Sequence, residues 1–279
     1  MNPIGIMQGR LSPPVDGRIQ SFPVDTWREE FEFARQAGLA CIEWIYETGT
    51  DARNPLRTDE GIAEILRLSE RLGVAARSIC ADYFMSELLV ESGGEVRAPA
   101  VAHLRWLLGR AEKMGVRYIV LPFVDSSSLK SPQEIGGLAS ALGEVLPEAE
   151  RTRIELHLET DLPPKELVGI LESIGHPLVR ANYDIGNSAA LGHEPSQELS
   201  LIGPWLGSVH VKDRIKGGHT VPLGSGNADF DTCFRLIAAA EFTGAFILQA
   251  ARENGLSETE LAKRNRMFVE RHLLALTPA

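Results

Sequence analysis

Cysteine is scarce in this chain: Cys41, Cys80 and Cys233 are the only three in 279 residues. Three scattered thiols cannot build a disulfide framework, and none has the paired spacing of a zinc knuckle. An odd count in strand-like and helix-like surroundings suits a reducing compartment. Long apolar runs are missing too, none approaching the ~18 residues that a membrane span requires. The opening MNPIGIMQGR enters a strand at once, with no basic stretch followed by an apolar one, so no signal peptide is expected. These absences predict a cytoplasmic protein with no membrane partner. Positive charge is also in deficit, 28 Lys and Arg against 38 Asp and Glu for a net charge of −10. Nucleic-acid binders usually present a basic surface, so no nucleic-acid partner is expected. With 44% apolar and 24% charged residues, the chain has the composition of a packed domain rather than a disordered one.

What is present is a repeated alternation. Eight short apolar runs begin near Ile4, Ala40, Val74, Arg117, Arg153, Leu178, Leu206 and Gly244. Amphipathic helical segments fill most intervals, which predicts βα units and a parallel sheet. Several helix ends are legible. Thr26 with Glu29 reads as a capping box, and Gly38, Gly73 and Gly115 read as residues that stop helices. Ser257 with Glu260 opens a last helix running to about Leu276. Length alone also permits a doubly wound sheet, but no Gly-x-Gly-x-x-Gly follows the first strand, which removes the main dinucleotide-binding alternative. No linker, low-complexity segment or charge block divides the chain. The fold class is therefore α/β, one (β/α)8 TIM barrel forming a single domain over residues 1–279.

Four polar residues each close an apolar run: Glu159 in RIELHLET, Asp184 in LVRANYDIGN, His210 in LGSVHVKD and Gln249 in GAFILQAAR. Residues closing successive strands converge at the carboxyl mouth of a barrel. Two carboxylates, an imidazole and an amide oxygen there would form a hard, mostly oxygen site for one divalent cation. Strand alternation extends the inward set. Glu159 brings His157 and Glu155, Asp184 brings Asn182 and Arg180, His210 brings Ser208 and Lys212, and Gln8 aligns with Arg10. Glu43 sits mid-strand between bulky apolar neighbours. Charges inside a barrel are costly unless paired or bound, and a buried pair of Glu43 with Arg180 is the alternative for the deeper ones.

These segments resemble the xylose-isomerase-like TIM barrels, a superfamily of sugar isomerases, sugar 3-epimerases and inosose dehydratase that also includes endonuclease IV. HLETD resembles the fifth-strand Glu motif, YDIGNSAALGHE the Asp-x-Gly-His segment after the sixth strand, and VHVKD the seventh-strand His-x-Lys-Asp. PLGSGNADF resembles the Pro-x-Gly-x-Gly-x-x-x-Phe loop, and IGIMQGRLSP and CIEWIYE resemble first and second strands of bacterial members. The resemblance implies Glu159, Asp184 and His210 as ligands of one divalent ion, Mn2+, Mg2+ or Co2+, with Zn2+ also compatible. Two positions depart from the family pattern. Gln249 stands where a second Glu is usual, and Asn187 where a His is usual. Gln249 can still ligate through its amide oxygen, but it cannot take a proton. The family's 3-epimerases use two carboxylates on opposite faces of an enediolate, so one-base aldose–ketose isomerisation survives this change better. The resemblance also implies a homo-oligomer, a dimer or tetramer.

The activity implied is that of a metal-dependent isomerase or epimerase acting on a sugar or sugar phosphate through a metal-stabilised enediolate. Glu159 is the first candidate for the base, with Lys212 and His157 next because they face inward near the same level. Arg10, Arg214 and Arg252 each follow a strand end, and Gly224-Ser225-Gly226-Asn227 offers a flexible run of backbone N–H groups. Barrels place phosphate sites in such late loops, and backbone nests suit anions. The expected substrate contacts are Arg10, Glu43, Asn187, Arg214, Gly224, Ser225, Gly226 and Arg252. The plainer alternative pairs Arg252 with Glu253 or Asp213 and leaves the glycines to permit a tight turn. The segment from Ala81 to Pro99, carrying Tyr83, Phe84 and Met85, is long enough for a lid or a subunit contact. An inosose-type dehydratase would use the same ion. A non-catalytic sugar-binding barrel is the reading that Gln249 and Asn187 keep open. An endonuclease-IV-like phosphodiesterase would need several more His ligands at the early strand ends than this chain has.

Overall fold

The computed structural model describes residues 2–15 and 17–276; Met1, Asp16 and residues 277–279 of the expected 1–279 span lie outside the described residues. Eight parallel strands close a barrel: β1 (Ile4–Met7), β2 (Cys41–Ile45), β3 (Ala75–Cys80), β4 (Tyr118–Phe123), β5 (Glu155–Thr160), β6 (Val179–Asp184), β7 (Leu206–Val211) and β10 (Phe246–Leu248). The ring is sealed where β1 pairs with β10, Ile6 opposite Leu248, and with β2, Ile6 opposite Ile42. Two further short strands, β8 (Asp213–Arg214) and β9 (Thr220–Val221), form an antiparallel hairpin on the loop that leaves β7. All eight expected runs are barrel strands. Among the described residues no helix is long and apolar enough to cross a membrane.

The helices wrap the barrel because their apolar faces match outward strand residues. In α2 (Asp59–Leu72) the buried residues are Ile62, Ile65 and Leu68, spaced along one stripe. Thr58 caps its start by accepting from Gly61 N, and Gly73 ends it in the left-handed conformation. The capping box at Ser257 forms as expected, with Ser257 and Glu260 satisfying each other's backbone N–H ahead of α9 (Glu258–Ala275). The one expected at Thr26 does not. The hydroxyl of Thr26 donates to Ser12 Oγ at 2.8 Å, and α1 (Glu29–Ala37) starts from Arg28 with no side-chain cap.

The apolar core lies between the strands and the helices, and the barrel's inside is polar. Glu43, Ser78, His157, Ser208 and His210 have no solvent exposure at all. Branched aliphatic residues usually fill those layers. Two register shifts, at Ile42/Glu43 and Ala181/Asn182, fall where this polar set begins. Each adds a residue to one strand and re-aims the side chains beyond it. They set Ser78 beside Glu43 and Ser208 beside Asn182, and each pair is hydrogen-bonded.

Candidate active site

The three ionisable strand-closing residues converge. Glu159 ends β5, Asp184 ends β6 and His210 lies near the end of β7; one ligand atom from each fits within 4.8 Å of the others, and all three are buried. His210 Nδ1 is 3.6 Å from Glu159 Oε2 and 4.0 Å from Asp184 Oδ2.

Local structure fixes each of these groups. Asp184 is both the last residue of β6 and the cap of α6 (Ile185–Leu191), its Oδ1 accepting from Asn187 N at 2.8 Å. One oxygen is thus held by the helix and the other left for the centre. Gly186 has no alternative here, since a Cβ would lie 2.8 Å from Lys212 Cγ. Asn187 then donates from Nδ2 to Glu159 Oε1 at 2.9 Å and accepts from Arg214 Nη1 at 2.9 Å. Beneath the cluster, His210 Nε2 meets Glu43 Oε1 at 2.7 Å, and Ser78 donates to the other Glu43 oxygen at 2.6 Å. The far ring nitrogen is therefore pinned, and Nδ1 faces the two carboxylates.

Among the described residues, two buried atoms in this cluster have no hydrogen-bond partner: His210 Nδ1 and Asp184 Oδ2. Lys212 Nζ comes within 2.9 Å of Asp184 Oδ2, close enough for charge pairing but outside hydrogen-bond geometry. Orphaned buried polar atoms are rare. An imidazole nitrogen and a carboxylate oxygen aimed at one spot beside a second carboxylate are the donor set a divalent cation takes. The residues fit the ion. Burial pushes Glu159 up to about 7 against the pull of His210, with Asp184 adding to the rise and Lys212 resisting it. Burial disfavours charge on His210, yet Glu43, Glu159 and Asp184 together raise it to about 9. Gln249, buried just beyond β10, donates its backbone N–H to Val211 O, and its amide makes no hydrogen bond among the described residues.

Several expectations need correction. Glu43 pairs with His210 and not with Arg180, whose guanidinium bonds Leu206 O; fully buried below the cluster, Glu43 orients the imidazole instead of meeting substrate. His157 does face inward, but both its nitrogens are committed, Nδ1 to Ser208 at 2.9 Å and Nε2 to Glu155 at 2.8 Å, and Tyr118 stacks on its ring. It is no base at the mouth. The nest at Gly224, Ser225 and Gly226 is filled by the chain itself: Asp213 accepts from Gly224 N, Gly226 N and Ala228 N, and Ser225 N bonds Pro222 O. Arg252 spends its terminal nitrogens on Ser12 O, Gly9 O and Glu258, tying the β1 loop to α9. Arg214 is held by Asn187 and Gly218 O. In the segment from Ala81 to Pro99, Phe84 lies in the core, Tyr83 stacks on His103 and Val90 bridges Val96, while Glu91, Ser92, Gly93 and Glu95 are exposed.

One constellation was not anticipated. Arg10 donates to Ala250 O at 2.7 Å and to Gln20 Oε1 at 3.4 Å, and Gln20 in turn donates to Asp82 at 2.8 Å. Burial raises Asp82 and pulls Arg10 down to about 10, and Asp82 acts electrostatically on both Arg10 and Glu159. The signal was available in the alternation of β3, because Asp82 follows Cys80 by two residues.

A family model described as xylose isomerase-like TIM barrel matches residues 31–272. L-ribulose-5-phosphate 3-epimerase of Salmonella paratyphi A is 25% identical over 252 residues, covering 86% of this chain and 88% of that protein. A xylose isomerase-like TIM barrel protein from Mycobacterium smegmatis, solved in complex with magnesium, superposes with a TM-score of 0.70 at 19% identity, covering 98% of this chain and 97% of that one. A structure of the IOLI protein with a bound zinc atom gives a TM-score of 0.76 at 13% identity, covering 99% and 100%. Similarity of this kind establishes the fold, and with the family match over most of its length the chain belongs to the xylose isomerase-like TIM barrel family.

Proposed function

We propose that this chain is an isomerase or epimerase of a sugar or sugar phosphate, dependent on one divalent cation held by Glu159, Asp184 and His210. The observation that carries the reading is the convergence of His210 Nδ1, which has no hydrogen-bond partner among the described residues, with Asp184 Oδ2 and Glu159. A bound dication supplies Lewis-acid polarisation of a hydroxy-ketone and offsets the charge that develops on its oxygens. The chain supplies the rest. Glu159, oriented by Asn187, is the group to take a proton from the carbon beside the carbonyl. Lys212, paired with Asp184, is placed to hold a substrate oxygen or return a proton to it. Gln249 adds a neutral amide where a carboxylate would give a second base. Within this set one-base transfer between adjacent carbons is the simpler chemistry. The 3-epimerase relatives make a phosphorylated ketopentose the first substrate class to test.

Elemental analysis after manganese loading and dialysis is expected to find about one ion per chain, and none in Asp184→Ala, which removes both a ligand and the α6 cap. Wild-type protein that retains no ion would sink the reading. Product analysis separates the chemistries, since isomerisation and epimerisation conserve mass whereas a dehydratase product is lighter by one water.

Loading should also depend on pH in a definite direction. His210 at about 9 and Glu159 at about 7 carry protons at neutral pH that a cation must displace. Binding at pH 7 is expected to release roughly one to two protons, so apparent affinity rises about tenfold or more per unit between about pH 6 and pH 8. Calorimetry in buffers of differing ionisation enthalpy reads the proton count directly. An affinity indifferent to pH would exclude ligation through His210 Nδ1.

A further inference from the structure

The opposite end of the barrel carries a second concentration of unsatisfied charge. A cavity of about 280 Å³ opens at the amino-terminal mouth, with Arg77, Arg117, Arg180, Tyr118, Glu155 and Thr243 in its wall. All but Thr243 stand at or near the first residues of β3, β4, β5 and β6, and Thr243 precedes β10, so the cavity is at the far side of the polar interior from the Glu159 cluster. Three guanidinium groups thus share one cavity in a chain of net charge −10. Two carboxylates also line it: Glu155, already bonded to His157, and Glu241 at the rim, which leaves an excess of positive charge.

Some surface arginines pair with acids, as Arg28 does with Glu64 and Arg151 with Glu112 and Glu148, whereas the three in this cavity have no acid within ion-pair distance among the described residues. Among the described residues the guanidiniums of Arg77 and Arg117 make neither an ion pair nor a hydrogen bond, and Arg180 makes one, to Leu206 O at 2.9 Å. Tyr118, buried in the same wall, has a hydroxyl with no hydrogen-bond partner, Ser78 beside it donating to Glu43. Gly207 in the same wall is close-packed: a Cβ there would lie 2.6 Å from His157 Cε1 and 2.8 Å from Arg180 Cβ, so only glycine fits between them.

We propose that this pocket is a binding site for a small phosphate-bearing anion. Guanidinium forks with free donors match phosphate oxygens bidentately, and a concave setting strengthens each contact over one in open water. The volume is near the lower end for a small-molecule site and holds a phosphoryl group with a few carbons attached. The site is distinct from the cation cluster and does not depend on the reaction proposed for it.

Isothermal titration of the full chain with inorganic phosphate and with glycerol 3-phosphate, at ionic strength fixed with chloride, tests this. Saturable binding near one equivalent is expected, weakened by at least about tenfold in Arg77→Ala/Arg117→Ala and also weakened in Arg117→Glu, an exposed position. The same binding should persist in Asp184→Ala, which disables the other mouth. Circular dichroism and the thermal midpoint show whether each variant is folded. Tighter binding of the ester assigns the pocket to a phosphomonoester, and tighter binding of inorganic phosphate assigns it to the free ion. Absence of binding to wild-type protein, binding that survives the arginine changes, or binding lost in Asp184→Ala would overturn the proposal.

Discussion

Replacing Glu159 with Gln is expected to lower turnover on a responsive sugar phosphate by about 10²- to 10⁴-fold, the contribution of a positioned general base. The substitution is nearly isosteric. An amide oxygen can still accept from Asn187 Nδ2, which now bonds Glu159 Oε1 at 2.9 Å, and can still ligate a cation, though more weakly than a carboxylate. It cannot take up a proton. Exchange of substrate hydrogen with D₂O at the carbon beside the carbonyl should therefore vanish while some bound ion remains. The distinction matters because Asp184→Ala removes the ion itself, so the two variants separate loss of the base from loss of the site. Turnover within about tenfold of wild type would move the base elsewhere, and Lys212, 2.9 Å from Asp184, would be the next group to replace.

The barrel and the centre of the site were legible in the sequence, and the second layer was not. Glu159, Asp184 and His210 could be read because each closes an apolar run and the runs recur about one βα unit apart, which fixes both their height and the way they face. The partner of Glu43 could not be read that way. Pairing across the barrel depends on register, and the shift at Ile42/Glu43 sets Glu43 level with Ser78 and under His210, out of reach of simple alternation. His157 was placed on the correct face, but alternation gives no information on what saturates a ring nitrogen. At the glycine loop a run of free N–H groups and a run already bonded to Asp213 look identical as sequence, although Asp213 lies only about a dozen residues from the glycines. Asp82 shows the converse. It directly follows the apolar Ile79-Cys80-Ala81 and lies two residues past Cys80, so both its height and its inward direction were readable.

Removing Glu43 should have the largest effect on stability. Its carboxylate and His210 are both fully buried, 2.7 Å apart, and Ser78 uses the remaining oxygen. Glu43→Ala strands an imidazole and a hydroxyl in a dry interior, and breaking such a pair from one side is expected to cost about 3–5 kcal/mol. Glu43→Gln should cost less, because its amide oxygen still accepts from His210 or Ser78. The penalty has a sign with pH that a simple cavity would lack. His210 is raised in the fold to about 9, above its ordinary 6.5, so the stability it contributes is complete below about pH 6.5 and is lost as pH rises through about 9. Denaturant melts of ion-free wild type and Glu43→Ala should accordingly converge in alkali. Loss of the group that orients the ligating ring should also weaken cation binding by about 10- to 100-fold. A Glu43→Ala protein with wild-type stability at pH 7 would mean that His210 is held by packing alone, and the carboxylate would then lose its assigned role in aiming Nδ1 at Glu159 and Asp184.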